Sequence, residues 1–313
     1  SSLVHAWRVR MTIARAFFEI GTRTNFSFLE GASGPEEMVV QAARLRLGGL
    51  GIADRNSVAG VVRAHAQAEQ LEERYKNRDE IIAQAKKEGK EEEILDPIRI
   101  QPGARLVFSD GTPDILAYPR NRRGWANLCR LLSAGNLKEE AVKGCCILTE
   151  AELMEWGDEM MLALVPDRTL VDRQAGQSTL EDYLERFRRR FRKAFFMALS
   201  PAYDGRDRQV FAVLAMLAAR NRVPLIATNQ PLYHHPERRP LSDIVIAIRE
   251  HVQISQAGFL LAPNAERYLK DSREMARIFR DYPGAIDNTQ AFFGKLTFSL
   301  KELEHNYPPE NDP

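Results

Sequence analysis

The chain holds 313 residues, 44% of them hydrophobic, enough to bury one large core or two small ones. Lys and Arg total 44 against 43 Asp and Glu, so the formal charge of +1 excludes bulk electrostatic attraction to nucleic acid or to an anionic membrane; any basic surface has to be local. No run of about 18 apolar residues is present, and Cys129, Cys145 and Cys146 make neither a disulfide framework nor a metal-binding spacing, as expected of a cytoplasmic protein with reduced thiols.

Residues 1–16 carry Arg8, Arg10 and Arg15 and no acid, and read as an extension expected to be poorly ordered. From Phe17 strand-like and helix-like segments alternate. Phe17–Ile20 reads as a strand, followed by a loop over Asn25–Gly34 and a helix from Pro35 to Leu47 with Met38, Val39, Ala42 and Ala43 on one face. Leu50–Ala53 is a short buried-type strand. It ends in the charged corner Asp54-Arg55, with Asn56 or Ser57 placed to cap a helix carrying Val58, Val61, Val62 and His65. Residues 69–97 are dominated by charges of both signs and read as a solvated helical excursion.

Ile98–Phe108 and Asp114–Tyr118 read as strands around a Ser109-Asp110-Gly111 turn. Arg122–Leu132 is helical, and Thr149 to Glu152 is a capping box opening another helix. Met160–Val165, Lys193–Leu199 and Pro224–Asn229 read as further strands, with helices over Leu180–Arg192 and Arg208–Asn221 between them. Helices at Leu241–Val252, Arg273–Tyr282 and Pro283–Phe293 follow without a strand among them. Six or seven β/α alternations predict parallel strands wrapped by helices. No GxGxxG or GxxxxGK[ST] loop follows the first strand, which favours a closed barrel over a nucleotide-binding open sheet.

Several long segments carry a family resemblance. NFSFLEGAS, DRNSVAGVVRAH, RRGWANLCRLLS and YHHPERRP followed by DIVIAIRE resemble, in order, the N-terminal PHP (polymerase and histidinol phosphatase) domain of bacterial C-family DNA polymerase III alpha subunits, in particular the error-prone, translesion-type branch. The resemblance runs from about residue 17 to 309. It implies a distorted seven-stranded, TIM-like β/α barrel over residues 17–262 and a helical connection towards a polymerase body over 263–313.

Active members of that family carry His, Asp and Glu metal ligands at the barrel mouth. Carried over position by position, the paired histidines after the first strand fall on Gly21 and Arg23, with Glu19 just before them. The Asp-His corner is Asp54-Arg55, the glutamate of the third strand is Arg105, and the next histidine falls near Asp114. The late histidine falls near Ala202, and the closing Asp-x-His pair falls on Gln230 and Leu232. Arginine has five donors and no lone pair to give, so it cannot replace a metal ligand. No catalytic residue, metal or cofactor is therefore expected. Arg23, Arg55 and Arg105 are expected to pair with Glu19, Asp54 and Asp114 in a charge-compensated mouth, the competing reading being an anion pocket. His234 and His235 read as packing residues at a helix entry.

The basic stretch with Arg186, Arg189, Arg190 and Lys193, together with Arg238 and Arg239, is the candidate nucleic-acid contact, weighed against a solvated face paired with local acids. The resemblance implies a non-catalytic domain of an error-prone DNA polymerase, a nucleotidyltransferase of replication and translesion repair. Its partners would be the remainder of the polymerase chain, DNA, and a sliding clamp or translesion accessory proteins, with no membrane. A residual metal-dependent phosphoesterase or 3′–5′ exonuclease, and a free-standing interaction protein derived from such a domain, are the rival readings.

Overall fold

Seven short runs of aliphatic and small residues make the frame. In the computed structural model, which describes residues 16–139, 145–167 and 179–303, these are β1 (Phe18–Thr22), β2 (Gly49–Arg55), β3 (Ile100–Leu106), β4 (Ile115–Pro119), β5 (Met160–Leu164), β6 (Phe195–Leu199) and β7 (Leu225–Ala227). Nearly every strand residue is buried, as strands covered on both faces must be. They pair in chain order from β1 to β7. The sheet curls into a nearly closed seven-stranded barrel, as expected.

One strand departs from the expected parallel order. β4 runs antiparallel to both β3 and β5, because only a tight connection through Ser109-Asp110-Gly111 separates it from β3, and a parallel return needs a crossover of a dozen or more residues. Gly111 takes a φ of +83° in that connection, a conformation that favours glycine.

The α-helices among the described residues are α1 (Pro35–Arg44), α2 (Val61–Lys76), α3 (Arg78–Lys87), α4 (Arg122–Asn136), α5 (Glu150–Trp156), α6 (Leu180–Phe191), α7 (Asp207–Arg220), α8 (Arg239–Arg249), α9 (Ser272–Ile278) and α10 (Pro283–Phe293). The expected capping box is present: Thr149 Oγ1 accepts from the Glu152 backbone N–H while the Glu152 carboxylate accepts from that of Thr149. Helix α2 begins at Val61, later than expected. Asn56 does not cap it. This residue sits at φ +45° and its side chain pairs with both backbone groups of Val107, extending the β2–β3 edge by a side chain instead of a ladder rung. Helices α2 and α3 form the charged excursion, and α3 buries no residue. Among the described residues no helix is long and apolar enough to cross a membrane.

Inside the barrel, alternate strand residues meet: Ile20, Ala53, Leu116, Tyr118, Met161, Phe196 and Ile226 are buried together. Tyr118 fills the space left by Gly51 and Gly103, where a Cβ would strike its ring, and its hydroxyl donates to the Ile20 carbonyl. The floor is closed by the end of α10. Phe292 packs edge-on against Tyr118 and Phe196 at centroid distances of 5.7 and 5.5 Å, and Phe293 lies 5.0 Å from Phe18 on β1. Met275, Phe279, Ala285 and Ile286 join the layer between strands and helices. The packed core therefore does not stop at residue 262; the described part of the expected connecting segment is built into it.

Removing the floor ring should be expensive. Phe292→Ala is expected to lower unfolding free energy by about 3–5 kcal/mol, read by chemical denaturation. Phe28→Ala, at a side chain 80% exposed, should change it by less than about 0.5 kcal/mol.

Candidate functional site

The C-terminal ends of β1, β2, β3, β5, β6 and β7 and the start of β4 meet at one rim, where β/α barrels carry their chemistry. A cavity of about 410 Å³ opens there, lined by Arg23, Arg105, Asp114, Asp167, Gln230 and Arg267 among others. Ala202, after β6, also lines it, and its backbone N–H donates to Asp207.

Beneath the rim lie two fully buried carboxylates. Glu19 accepts from the Gly21 N–H at 2.7 Å, the Asn229 N–H at 2.9 Å and the Thr228 hydroxyl. It thereby joins β1 to the end of β7. The same carboxylate sits at a register shift in the β1–β2 ladder, capturing an N–H within the irregular stretch. Asp54 accepts from the Thr24 N–H, the Thr24 hydroxyl and the Ser27 hydroxyl, all within 2.7–2.8 Å. For both acids burial raises the carboxyl pKa and the hydrogen bonds oppose that rise.

The arginines meet a different acid. Glu30 receives Arg23 Nη1 at 3.0 Å, Arg55 Nη1 at 2.8 Å and Arg105 Nη1 at 3.6 Å, while only 8% of its side chain is exposed. Arg105 also pairs with Asp114, the one expected partnership that forms. Glu19 and Asp54 pair with no arginine among the described residues, correcting the expected pairing. Glu30 stands in a loop folded on itself: the Ser27 carbonyl accepts from the Glu30 and Gly31 N–H groups, and the Asn25 N–H donates to Ser33. A Cβ at Gly31 would collide with the Thr24 carbonyl, so the turn requires glycine. Burial raises the Glu30 carboxyl pKa, but attraction to Arg23 and Arg105 and the Arg55 hydrogen bond more than reverse this and hold it at about 2, down from 4.5.

Arg267 is a fourth guanidinium at this rim, donating Nε and Nη2 to the Gln230 carbonyl. Neither Glu30 nor Arg267 is among the residues expected from sequence at this site. A lone acid inside NFSFLEGAS was the available signal for Glu30; Arg267 lies past the last strand and offered none. Gln230, at φ +46°, accepts from Arg23 Nη2 through its side chain. The Leu232 backbone accepts from Ala32 and donates to Arg267, tying the Glu30 loop to the segment after β7. At Gly21 a Cβ would run into Thr228 Oγ1 and the Gln230 side chain. His234 bonds Ser33 Oγ through Nδ1 at 2.8 Å, and His235 accepts from the Glu237 N–H in a short turn.

These donors do not fit a metal cluster. Asp54 and Glu19 already spend their lone pairs on protein donors, arginines occupy three expected ligand positions, and the described residues contain no group of three or more His, Cys, Asp or Glu placed to hold an ion.

The basic patch is paired locally. Arg186 grips Glu150 through Nε and Nη2, both at 2.8 Å, Arg189 pairs with Glu185, and Arg190 with Asp158. Arg238 pairs with Glu37 and Arg239 with Asp243, while Lys193 is exposed.

Residues 19–201 match the model of the PHP domain. The chain belongs to the PHP domain family. Curated relatives are error-prone DNA polymerases: that of Sinorhizobium medicae is 54% identical over 296 residues, and error-prone DNA polymerase 1 of Rhizobium meliloti is 52% identical over 301. The matches take in 95% and 96% of this chain but 24% of each relative, so this PHP domain chain spans about a quarter of their length. Among solved structures, a protein classed as a metal-dependent phosphoesterase from Bifidobacterium adolescentis matches 69% of this chain and 87% of its own at 13% identity and a TM-score of 0.41.

The depressed Glu30 pKa makes this PHP domain acid-sensitive in a defined window. A lowered carboxylate pKa contributes stability that is complete above the unfolded value of 4.5 and is lost as pH falls through the folded value of about 2. The wild-type chain should lose about 3 kcal/mol across that window which Glu30→Gln does not lose, measured by denaturation at stepped pH. At pH 7 the same variant should be about 3–5 kcal/mol less stable, because three guanidiniums are left without their shared carboxylate.

Proposed function

We propose that this chain is the non-catalytic PHP domain of an error-prone DNA polymerase of replication and translesion repair, acting in the cytoplasm as a scaffold for the polymerase body and contributing contacts to DNA or partner subunits such as a sliding clamp. The observation that carries the non-catalytic part is the Glu30 hub: one carboxylate bound to three arginines, each at a position where the family resemblance implies a metal ligand. The polymerase setting is supported by the 54% identity to an error-prone DNA polymerase over nearly the whole chain.

The scaffold part is supported by how the rim is built. Its acids are used as internal ties, to β7 through Glu19 and to the Glu30 loop through Asp54. A general base needs a free lone pair within reach of a substrate proton, and these two acids are fully buried and already bonded.

Two measurements test the proposal. The purified chain, incubated with Mn²⁺ or Zn²⁺, is expected to release neither phosphate from monoesters nor nucleotides from DNA 3′ ends; metal-dependent release abolished by Asp54→Asn overturns the non-catalytic reading. In the whole polymerase, Glu30→Gln is expected to lower Tm by several degrees and leave the KM for incoming nucleotide unchanged at permissive temperature. An unchanged Tm with a lost polymerase step would argue against scaffolding.

A further inference from the structure

We propose that the arginine-lined cavity at the barrel mouth is a metal-independent binding site for a small oxyanion of the phosphate class, either inorganic phosphate or the terminal phosphomonoester of a nucleotide. This goes beyond the scaffold role and does not depend on it.

Three cations face one space. Arg23, Arg105 and Arg267 all line the 410 Å³ cavity, a volume within the range of about 300–1,000 Å³ typical of small-ligand sites. The acids beside them do not balance them. Glu30 is divided among Arg23, Arg55 and Arg105, and Asp114 serves Arg105. Among the described residues, the cavity lining itself holds three guanidiniums, Arg23, Arg105 and Arg267, against two carboxylates, Asp114 and Asp167. Glu19 and Asp54 lie below the rim, their oxygens engaged by hydroxyl and amide donors.

The guanidiniums also hold unspent donors. Arg23 is only 9% exposed, yet its Nε has no hydrogen-bond partner, and neither does the buried Nε of Arg105. Arg267 commits Nε and Nη2 to the Gln230 carbonyl, and its Nη1 makes no hydrogen bond among the described residues. The two Nε groups are closed off from the cavity, so the Arg267 Nη1 is the donor left open to a ligand there. Burial together with the positive charges of Arg105 and Arg267 pushes the Arg23 guanidinium well below its usual range, and burial with Arg105 lowers that of Arg267. A small oxyanion in the cavity offsets the crowded positive charge of the three guanidiniums and accepts from the open Arg267 Nη1.

The test is calorimetric titration of the full chain with inorganic phosphate in chelator-treated buffer, against chloride at equal ionic strength. Saturable one-to-one binding is expected, weakened at least tenfold by Arg267→Gln and unchanged by Arg220→Gln on the outer face of α7. Arg267→Lys, which keeps the charge and loses the fork, should weaken it by less, and it serves as the reporter if Arg267→Gln does not fold. A parallel titration with dAMP separates the sources. Binding at least tenfold tighter than inorganic phosphate assigns a nucleotide phosphomonoester, and equal or weaker binding assigns the free ion. No saturable binding by the wild-type chain at millimolar phosphate or dAMP overturns the proposal. So does binding that is unaffected in a folded Arg267 variant.

Discussion

One carboxylate organises the mouth of this barrel. Glu30 stands where guanidiniums from the ends of three strands converge, and without it those cations would repel one another in a place shielded from water. A buried ion pair adds little net stability over a well-packed apolar substitute, but removing one partner strands a charge. The value of the hub lies in geometry. It fixes the positions of β1, β2 and β3 relative to the loop that carries Glu30, and that loop reaches across to the segment after β7 through the Ala32–Leu232 hydrogen bond.

The two deeper acids work on backbone and hydroxyl donors instead. β1 and β7 share no hydrogen-bonded ladder, and Glu19 supplies the missing connection with its own carboxylate. Asp54 fastens Thr24 and Ser27, and Ser27 in turn accepts from the Arg55 N–H, so the corner and its covering loop form one bonded unit. Both carboxylates therefore tie parts of the barrel to one another. At Gly21, Thr228 and Gln230 fill the room that an imidazole would require.

Much of the frame was legible because it rests on local signals: aliphatic runs for strands, a capping box at Thr149, proline at the start of α1 and of α10. β4 escaped the parallel rule because loop length, not strand composition, decides direction. That arginines and acids pair at the mouth was legible, but apart from Arg105 with Asp114 the partners were not. Asp54 and Arg55 are consecutive on β2, and successive strand residues point to opposite faces, so the adjacent acid and base could never meet. Glu30 lies in a loop without periodicity and its three partners come from distant strands. Arg267 belongs to a stretch between α8 and α9 that sequence placed outside the barrel, although its side chain completes the rim.

The contact between Phe18 on β1 and Phe293 at the end of α10 bears on how the chain is made. A ribosome releases β1 first, yet the aromatic pair that seals its lower end is among the last described elements to emerge. The early strands can collapse and pair, but the barrel floor stays open until nearly all of the described residues have been synthesised. Such dependence on contacts far apart in sequence slows folding and prolongs exposure of unpaired strand edges. For this protein, translation through α10 is thus a step of folding in its own right.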